Sequence, residues 1–296
     1  MPNWGEVLKE IQLCEFRDPL DRIRRKYLDA LATKTGRNVI AYYSGWLQHP
    51  DVSNTAVGDD DKNALMAAVH GLDRSKGLDL LLHTPGGDLA ATESIVDYLH
   101  KMFNGDIRAV VPQLAMSAGT MIACSCREIV MGKQSNLGPI DPQFGGIPAH
   151  GVLKEFEEAI AAVKADPASI SIWQVVVGKY HPTFIGECRH ALTWSSDMVR
   201  EWLKRSMFAG MKDATKRATN AVKYLGDHDY TKSHARHIPV EEAEKLLKVL
   251  RLEDDDEMQD LVLTVHHSFM HTFANSAAVK IVENHKGGAM LSMRGK

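Results

Sequence analysis

Apolar runs long enough to span a bilayer are missing from this 296-residue chain. About 18–20 uninterrupted apolar residues are needed to cross the hydrocarbon core, so no membrane span is expected. Cysteine is scarce: the four present are too few for the disulfide framework of a small secreted domain. The opening Met1-Pro2-Asn3-Trp4-Gly5-Glu6 lacks a basic stretch leading into an apolar one, so no signal peptide is expected. Neither sign of charge dominates, since 35 basic and 38 acidic residues leave a formal net charge of −3. That balance argues against a dedicated nucleic-acid or anionic-membrane binder. With only 22 glycines and 11 prolines, collagen-like and disordered compositions are excluded too. What is present is 44% hydrophobic content, enough for a large core that needs no disulfide or metal. The expectation is a globular, cytoplasmic protein of one large domain or two modest ones.

The first half alternates short β-like runs with amphipathic stretches. Arg37–Tyr43, Leu78–His83, Asp106–Val111 and Glu128–Met131 read as strands, each rich in β-branched or aliphatic residues and most bounded by turn residues. Between them, Asp59-Asp60-Asp61 opens one helix, and Asp88 opens a second with Leu89, Thr92, Ile95, Val96 and Leu99 on one face. Such alternation indicates an α/β domain with largely parallel pairing. Beyond Gly151, long helical patterns take over at 152–164, 197–224 and 257–278. Residues 1–150 are therefore expected to form an α/β core. Residues 151–296 are expected to form a helical extension packed on it, serving assembly.

Two segments carry chemistry. In Leu82-His83-Thr84-Pro85-Gly86-Gly87-Asp88, paired glycines between a buried strand and a helix present bare backbone N–H groups, which suit an oxyanion. In Ala115-Met116-Ser117-Ala118-Gly119-Thr120, a serine among small residues sits where a helix begins, its hydroxyl near the positive helix end. Taken alone, each segment has a plainer reading, a strand–helix turn and a helix N-cap. Together they gain meaning, because the carboxyl ends of neighbouring parallel strands line a common crevice. Gly87 and Ser117 lie 30 residues apart, one helix plus one strand.

Strand–Pro-Gly-Gly–helix–strand–Ser-Ala-Gly–helix resembles the superfamily of the Clp protease proteolytic subunit and signal peptide peptidase A, within the wider crotonase-like fold. More narrowly, His83–Leu89 and Ala115–Thr120, with Asn136-Leu137-Gly138-Pro139-Ile140-Asp141-Pro142-Gln143, resemble the serine dehydrogenase proteinase family. The resemblance implies a spiral of ββα units with a helical C-terminal extension. It implies a serine peptidase in which Ser117 attacks a peptide carbonyl to form an acyl-enzyme, and Gly86, Gly87 and Ala118 supply the oxyanion hole. It also implies an extended peptide or unfolded protein as substrate, pairing by β-addition along the Pro-Gly-Gly edge, a homo-oligomeric assembly, and room for a regulatory partner.

The general base stays open. Asp141 stands near the slot of the Clp-type histidine, and a carboxylate is a poor base for a serine hydroxyl. Signal peptide peptidase A and its relatives use a lysine, which acts as a base when burial lowers its pKa. Lys154, 37 residues past Ser117, is the best placed, with Lys164 further along the same helix. His150 is a second candidate, and His181 and His190 follow. His234 and His237, in a loop before a helix, are given no place by the sequence. No metal or other cofactor is expected. The spacing of Cys124-Ser125-Cys126 fits no zinc knuckle, and the pair His267/His271 lacks the glutamate of a metalloprotease. The competing functions are a non-catalytic scaffold that binds extended peptides and, further off, an acyl-CoA-processing relative of the crotonase fold.

Overall fold

The computed structural model describes residues 4–226 and 233–295. Its strands are β1 (Asn38–Ser44), β2 (Leu78–His83), β3 (Ile107–Val111), β4 (Leu114–Ala115), β5 (Glu128–Met131), β6 (Asn136–Leu137), β7 (Gln143–Phe144), β8 (Ile147–Pro148), β9 (Ile238–Pro239), β10 (Val249–Arg251), β11 (Ala278–Asn284) and β12 (Ala289–Met293). The helices are α1 (Trp4–Leu13), α2 (Pro19–Thr35), α3 (Asp60–Val69), α4 (Leu89–Phe103), α5 (Ala118–Ser125), α6 (Ala149–Ala165), α7 (Ile170–Val177), α8 (Phe184–Arg205), α9 (Ala214–Gly226), α10 (Val240–Ala243) and α11 (Asp256–Asn275).

A seven-stranded sheet in the order β10-β5-β3-β2-β1-β11-β12 forms the centre of this mixed α/β fold. The first five strands run parallel, and β11 and β12 close one side antiparallel. Both faces are covered, which is why the strands read as continuous apolar runs. Along β1, Ile40 and Tyr42 enter one core with Leu80 and Leu82 of β2, roofed by α3, α4, α5, α8 and α9. Val39, Ala41 and Tyr43 point the other way into a core closed by α2 and α11. The two-residue period of a strand sends alternate side chains to opposite layers.

The second half is not helical throughout, and the expectation of a helical extension over 151–296 is corrected here. β10, β11 and β12 belong to the central sheet, with β10 pairing with β5 and β11 with β1. β11 escapes a sequence reading because Ala278-Val279-Lys280-Ile281-Val282-Glu283-Asn284 carries two charges, yet every residue is buried. Lys280 Nζ meets Asp61 Oδ1 at 2.9 Å, and Glu283 accepts from Arg24 and Arg25, each at 2.9 Å. The helix expected over 197–224 is two helices, α8 and α9. The acidic run 253–257 passes from a 3₁₀ turn (Leu252–Asp254) into the first residues of α11, and the Asp255 side chain accepts the Met258 N–H at 3.0 Å as its N-cap.

Beside the large sheet lies a smaller one, β4-β6-β9. It joins Ala115↔Leu137 in parallel and Leu137↔Ile238 antiparallel, so three distant stretches of chain end side by side.

Candidate active site

Ser117 ends the turn from β4 into α5 with φ 49° and ψ −113°. A non-glycine residue at positive φ is strained and persists only where its surroundings enforce it. Here backbone bonds from the Pro-Gly-Gly turn do so: Thr84 N–H donates to Leu114 O at 3.1 Å, and Met116 N–H to Thr84 O at 3.0 Å. Inside the turn, Thr120 Oγ1 donates to Ala115 O at 2.7 Å and accepts the Gly138 N–H at 2.8 Å, tying the start of α5 to the chain after β6.

The two glycines have different tasks. Gly86 has φ 98°, and a Cβ there would lie 2.5 Å from the Ser117 Cβ, so only glycine lets the two turns touch. Its N–H donates to Thr84 Oγ1 at 3.2 Å and is used inside the turn. Gly87 lies against Val57, where a Cβ would come within 2.3 Å of backbone atoms. Val57 N–H donates to Gly86 O at 2.7 Å, and Asp88 N–H donates to Val57 O at 2.9 Å, so a strap of chain holds the Gly-Gly turn from outside. Ala118 is the first residue of α5, and its N–H therefore has no intrahelical carbonyl to meet.

A cavity of about 620 Å³ opens over this junction, lined by Ser117, Gly86, Gly87, Asp141 and His234, with Leu89, Met121, Phe144 and Trp194 as its apolar walls. In it, His234 Nδ1 and Asp141 Oδ1 are hydrogen-bonded at 2.9 Å. The Asp141 side chain is fully buried and that of His234 about one quarter exposed. A buried carboxylate has to be compensated by a donor or a cation, and the imidazole supplies one. The small sheet makes this meeting possible. Ser117 follows Ala115 of β4 by two residues, Asp141 follows Leu137 of β6 by four, and His234 precedes Ile238 of β9 by four.

The other predicted residues fall elsewhere. Lys154 is exposed on α6, away from the cavity lining, and burial is what a lysine base needs. Lys164 is exposed further along the same helix. His150 is half-buried at the start of α6, and neither it nor His181 lines the cavity. His181 is exposed, with its Nδ1 2.8 Å from Pro182 O. His190 does reach the cavity wall, from α8. The structure thus brings together Ser117, Gly86, Gly87 and Asp141 with a histidine that sequence spacing had not connected to them. His234 is 93 residues from Asp141 in the chain, and the β6–β9 pairing and the Ile140 N–H donating to Leu225 O at 3.0 Å bring the two stretches together. Cys124 lies within α5 and Cys126 just past its end; both are buried, and burial pushes the Cys126 thiol up to about 12, which disfavours the thiolate. Among the described residues, no group of three or more His, Cys, Asp or Glu side chains is arranged to hold a metal, and no helix is long and apolar enough to cross a membrane.

A strained serine at a strand-to-helix turn, facing a glycine pair and sharing a cavity with a hydrogen-bonded Asp–His pair, has the make-up of a serine-hydrolase site. The chain belongs to the ClpP-like SDH-type serine proteinase family, whose profile matches residues 21–176, just over half its length. It is also similar to two uncharacterized proteins of Methanocaldococcus jannaschii. One is 37% identical over 111 residues, covering 38% of each chain, and the other 35% identical over 97 residues, covering 33% of each. The chain therefore spans about a third of the length of these relatives.

Proposed function

We propose that the protein is a serine peptidase whose nucleophile is Ser117, whose general base is His234, and whose orienting carboxylate is Asp141. The observation that carries this reading is the 2.9 Å His234–Asp141 hydrogen bond in the wall of the cavity onto which Ser117 opens. With the Nδ1 proton donated to Asp141, the lone pair of Nε2 is left to accept the serine proton. As Ser117 Oγ bonds to the peptide carbonyl carbon, its proton moves to Nε2 and the negative charge passes to the carbonyl oxygen. The N–H groups of Gly87 and Ala118 receive that oxyanion, while Gly86 serves by keeping the two turns in contact. The imidazolium then protonates the departing amine. Water, deprotonated by the same imidazole, hydrolyses the acyl-enzyme. Lys154 has no part in this sequence.

The spiral of ββα units and the homo-oligomer implied by the family resemblance belong to the same reading. For self-association the best-suited surface is α7, whose Ile172 and Val175 are 67% and 65% exposed. Ile172→Glu together with Val175→Glu should lower the mass seen by light scattering.

The test of the chemistry is a fluorophosphonate probe with mass-spectrometric location of the label. Ser117 should be labelled, and His234→Ala or Asp141→Asn should slow labelling by roughly 10²–10⁴-fold, whereas Lys154→Ala should leave it unchanged. Absence of label on Ser117 in a folded sample would overturn the peptidase reading and leave peptide binding without cleavage.

A further inference from the structure

A second cavity, of about 660 Å³, adjoins the first at His234. It shares Pro85, Gln143 and His234 with the catalytic cavity, and the consecutive residues Met116 and Ser117 face one cavity each. We infer that this second cavity, built on Trp46, Leu47, Leu114, Met116 and Pro148, seats a bulky apolar side chain of the substrate, across the scissile bond from the side chain held beside Leu89, Met121 and Trp194. The inference rests on the peptidase reading and deepens it. The substrate class becomes an extended polypeptide with large apolar residues on both sides of the bond cut.

The first argument is continuity. A peptide whose carbonyl reaches the Ser117 hydroxyl has chain leaving in two directions, and an extended chain advances about 3.3 Å per residue. The wall common to both cavities is Pro85, Gln143 and His234, so the two directions lead into one cavity each.

The second argument is chemistry. Among the described residues, no lysine, arginine, aspartate or glutamate lines the second cavity, and the titratable groups there are His234 and His237. Trp46, its largest side chain, has its ring 4.4 Å from that of His83, centre to centre. Burial of His83 keeps that ring neutral, so the support beneath the indole carries no charge to draw in a polar residue. A wall of aromatic and aliphatic groups with few polar ones selects apolar matter.

The third argument is preorganisation. Trp46 follows Gly45, whose N–H donates to Val279 O at 2.9 Å. A Cβ at Gly45 would fall 2.7 Å from the Phe273 ring, so the backbone is pressed onto the core where the indole begins. A rigid aromatic anchor loses little freedom when a ligand side chain packs on it.

The experiment measures how peptides protect Ser117 from the fluorophosphonate. Each variant supplies its own reference, because the reading is the ratio of labelling rates with and without peptide. End-blocked octapeptides carrying Phe or Leu at positions on both sides of a central bond should protect. The same peptides with Asp on either side should not. In Trp46→Ala the concentration giving half protection should rise roughly tenfold or more, as for loss of an aromatic anchor, and Trp46→Phe should restore most of it. Leu47→Ala, at a half-exposed position, should give a smaller rise in the same direction. Equal protection by apolar and acidic peptides, or an unchanged ratio in both Trp46→Ala and Leu47→Ala, would overturn the inference while Ser117 still labelled. If Ser117 fails to label at all, the peptidase reading falls separately. Anisotropy of the fluorescein-tagged peptides, compared between native protein and Trp46→Ala, then still reports on the cavity.

Discussion

At the scale of the residue, Ser117 holds a strained backbone conformation that the proposed nucleophilic role would account for. Its φ of 49° belongs to a class of backbone conformation that costs on the order of 1–3 kcal/mol in non-glycine residues. Ser117→Gly should accordingly raise the unfolding free energy by about 1 kcal/mol, read by urea denaturation, while abolishing fluorophosphonate labelling. A second residue-scale effect concerns two imidazoles behind the Pro-Gly-Gly turn. His83 and His266 lie 5.1 Å apart, centre to centre, in the core around Tyr43. Burial holds His83 well below the usual range and pushes His266 down to about 3. Because both are lowered on folding, the unfolded chain binds more protons once the pH drops below about 6.5. The stability they allow is fully present above that pH and is lost progressively as pH falls from about 6.5 toward 3. Denaturation across this window should show a slope approaching one proton per ring, and His266→Phe should remove one proton's share of it.

At the scale of the element, the site depends on short pieces held by backbone bonds. The strap around Val57 fixes Gly87 from outside, and β9 brings the chain that carries His234 to the end of β6. Gly87→Ala would drive a methyl group into the Val57 backbone. With Gly87 as a proposed oxyanion donor, and one such donor worth roughly 10²–10³ in rate, labelling of Ser117 should fall by that order, with the protein still folded by circular dichroism. The chain strip itself makes much of this level readable. Leu78–His83, stopped by Thr84-Pro85-Gly86-Gly87, is a strand and turn in both sequence and structure. The β4-β6-β9 ladder is not readable in the same way, because two-residue strands have no period to detect, and β6 and β9 lie about a hundred residues apart.

At the scale of the whole molecule, the two halves of the chain form one sheet. Arg24 and Glu283 are both fully buried and 2.9 Å apart, and Arg24 also donates to Thr272 Oγ1 at 2.9 Å, so α2, β11 and α11 are pinned together. Removing one partner of such a pair costs about 3–5 kcal/mol. Glu283→Gln should destabilise the protein by that order in chemical denaturation, with a single transition retained. A fragment ending at residue 150 lacks β10, β11, β12 and α11. It leaves Val39, Ala41 and Tyr43 without the helix and strand that cover them, and it should show no cooperative unfolding.

The local chemistry of the chain was enough to specify the parallel strands, the Gly-Gly turn and a serine where a helix begins, because turns, caps and two-residue alternation act within a few residues of themselves. The base was another matter. Asp141 looked like a poor base and His234 like a loop histidine, and their hydrogen bond, on which the proposed roles rest, forms across a strand pairing that no local pattern encodes. The same holds for β11, whose lysine and glutamate read as solvent-facing until Asp61, Arg24 and Arg25 arrive from the far half of the chain. Buried charge and long-range pairing are properties of contacts, and contacts between distant segments exist only once the chain has folded.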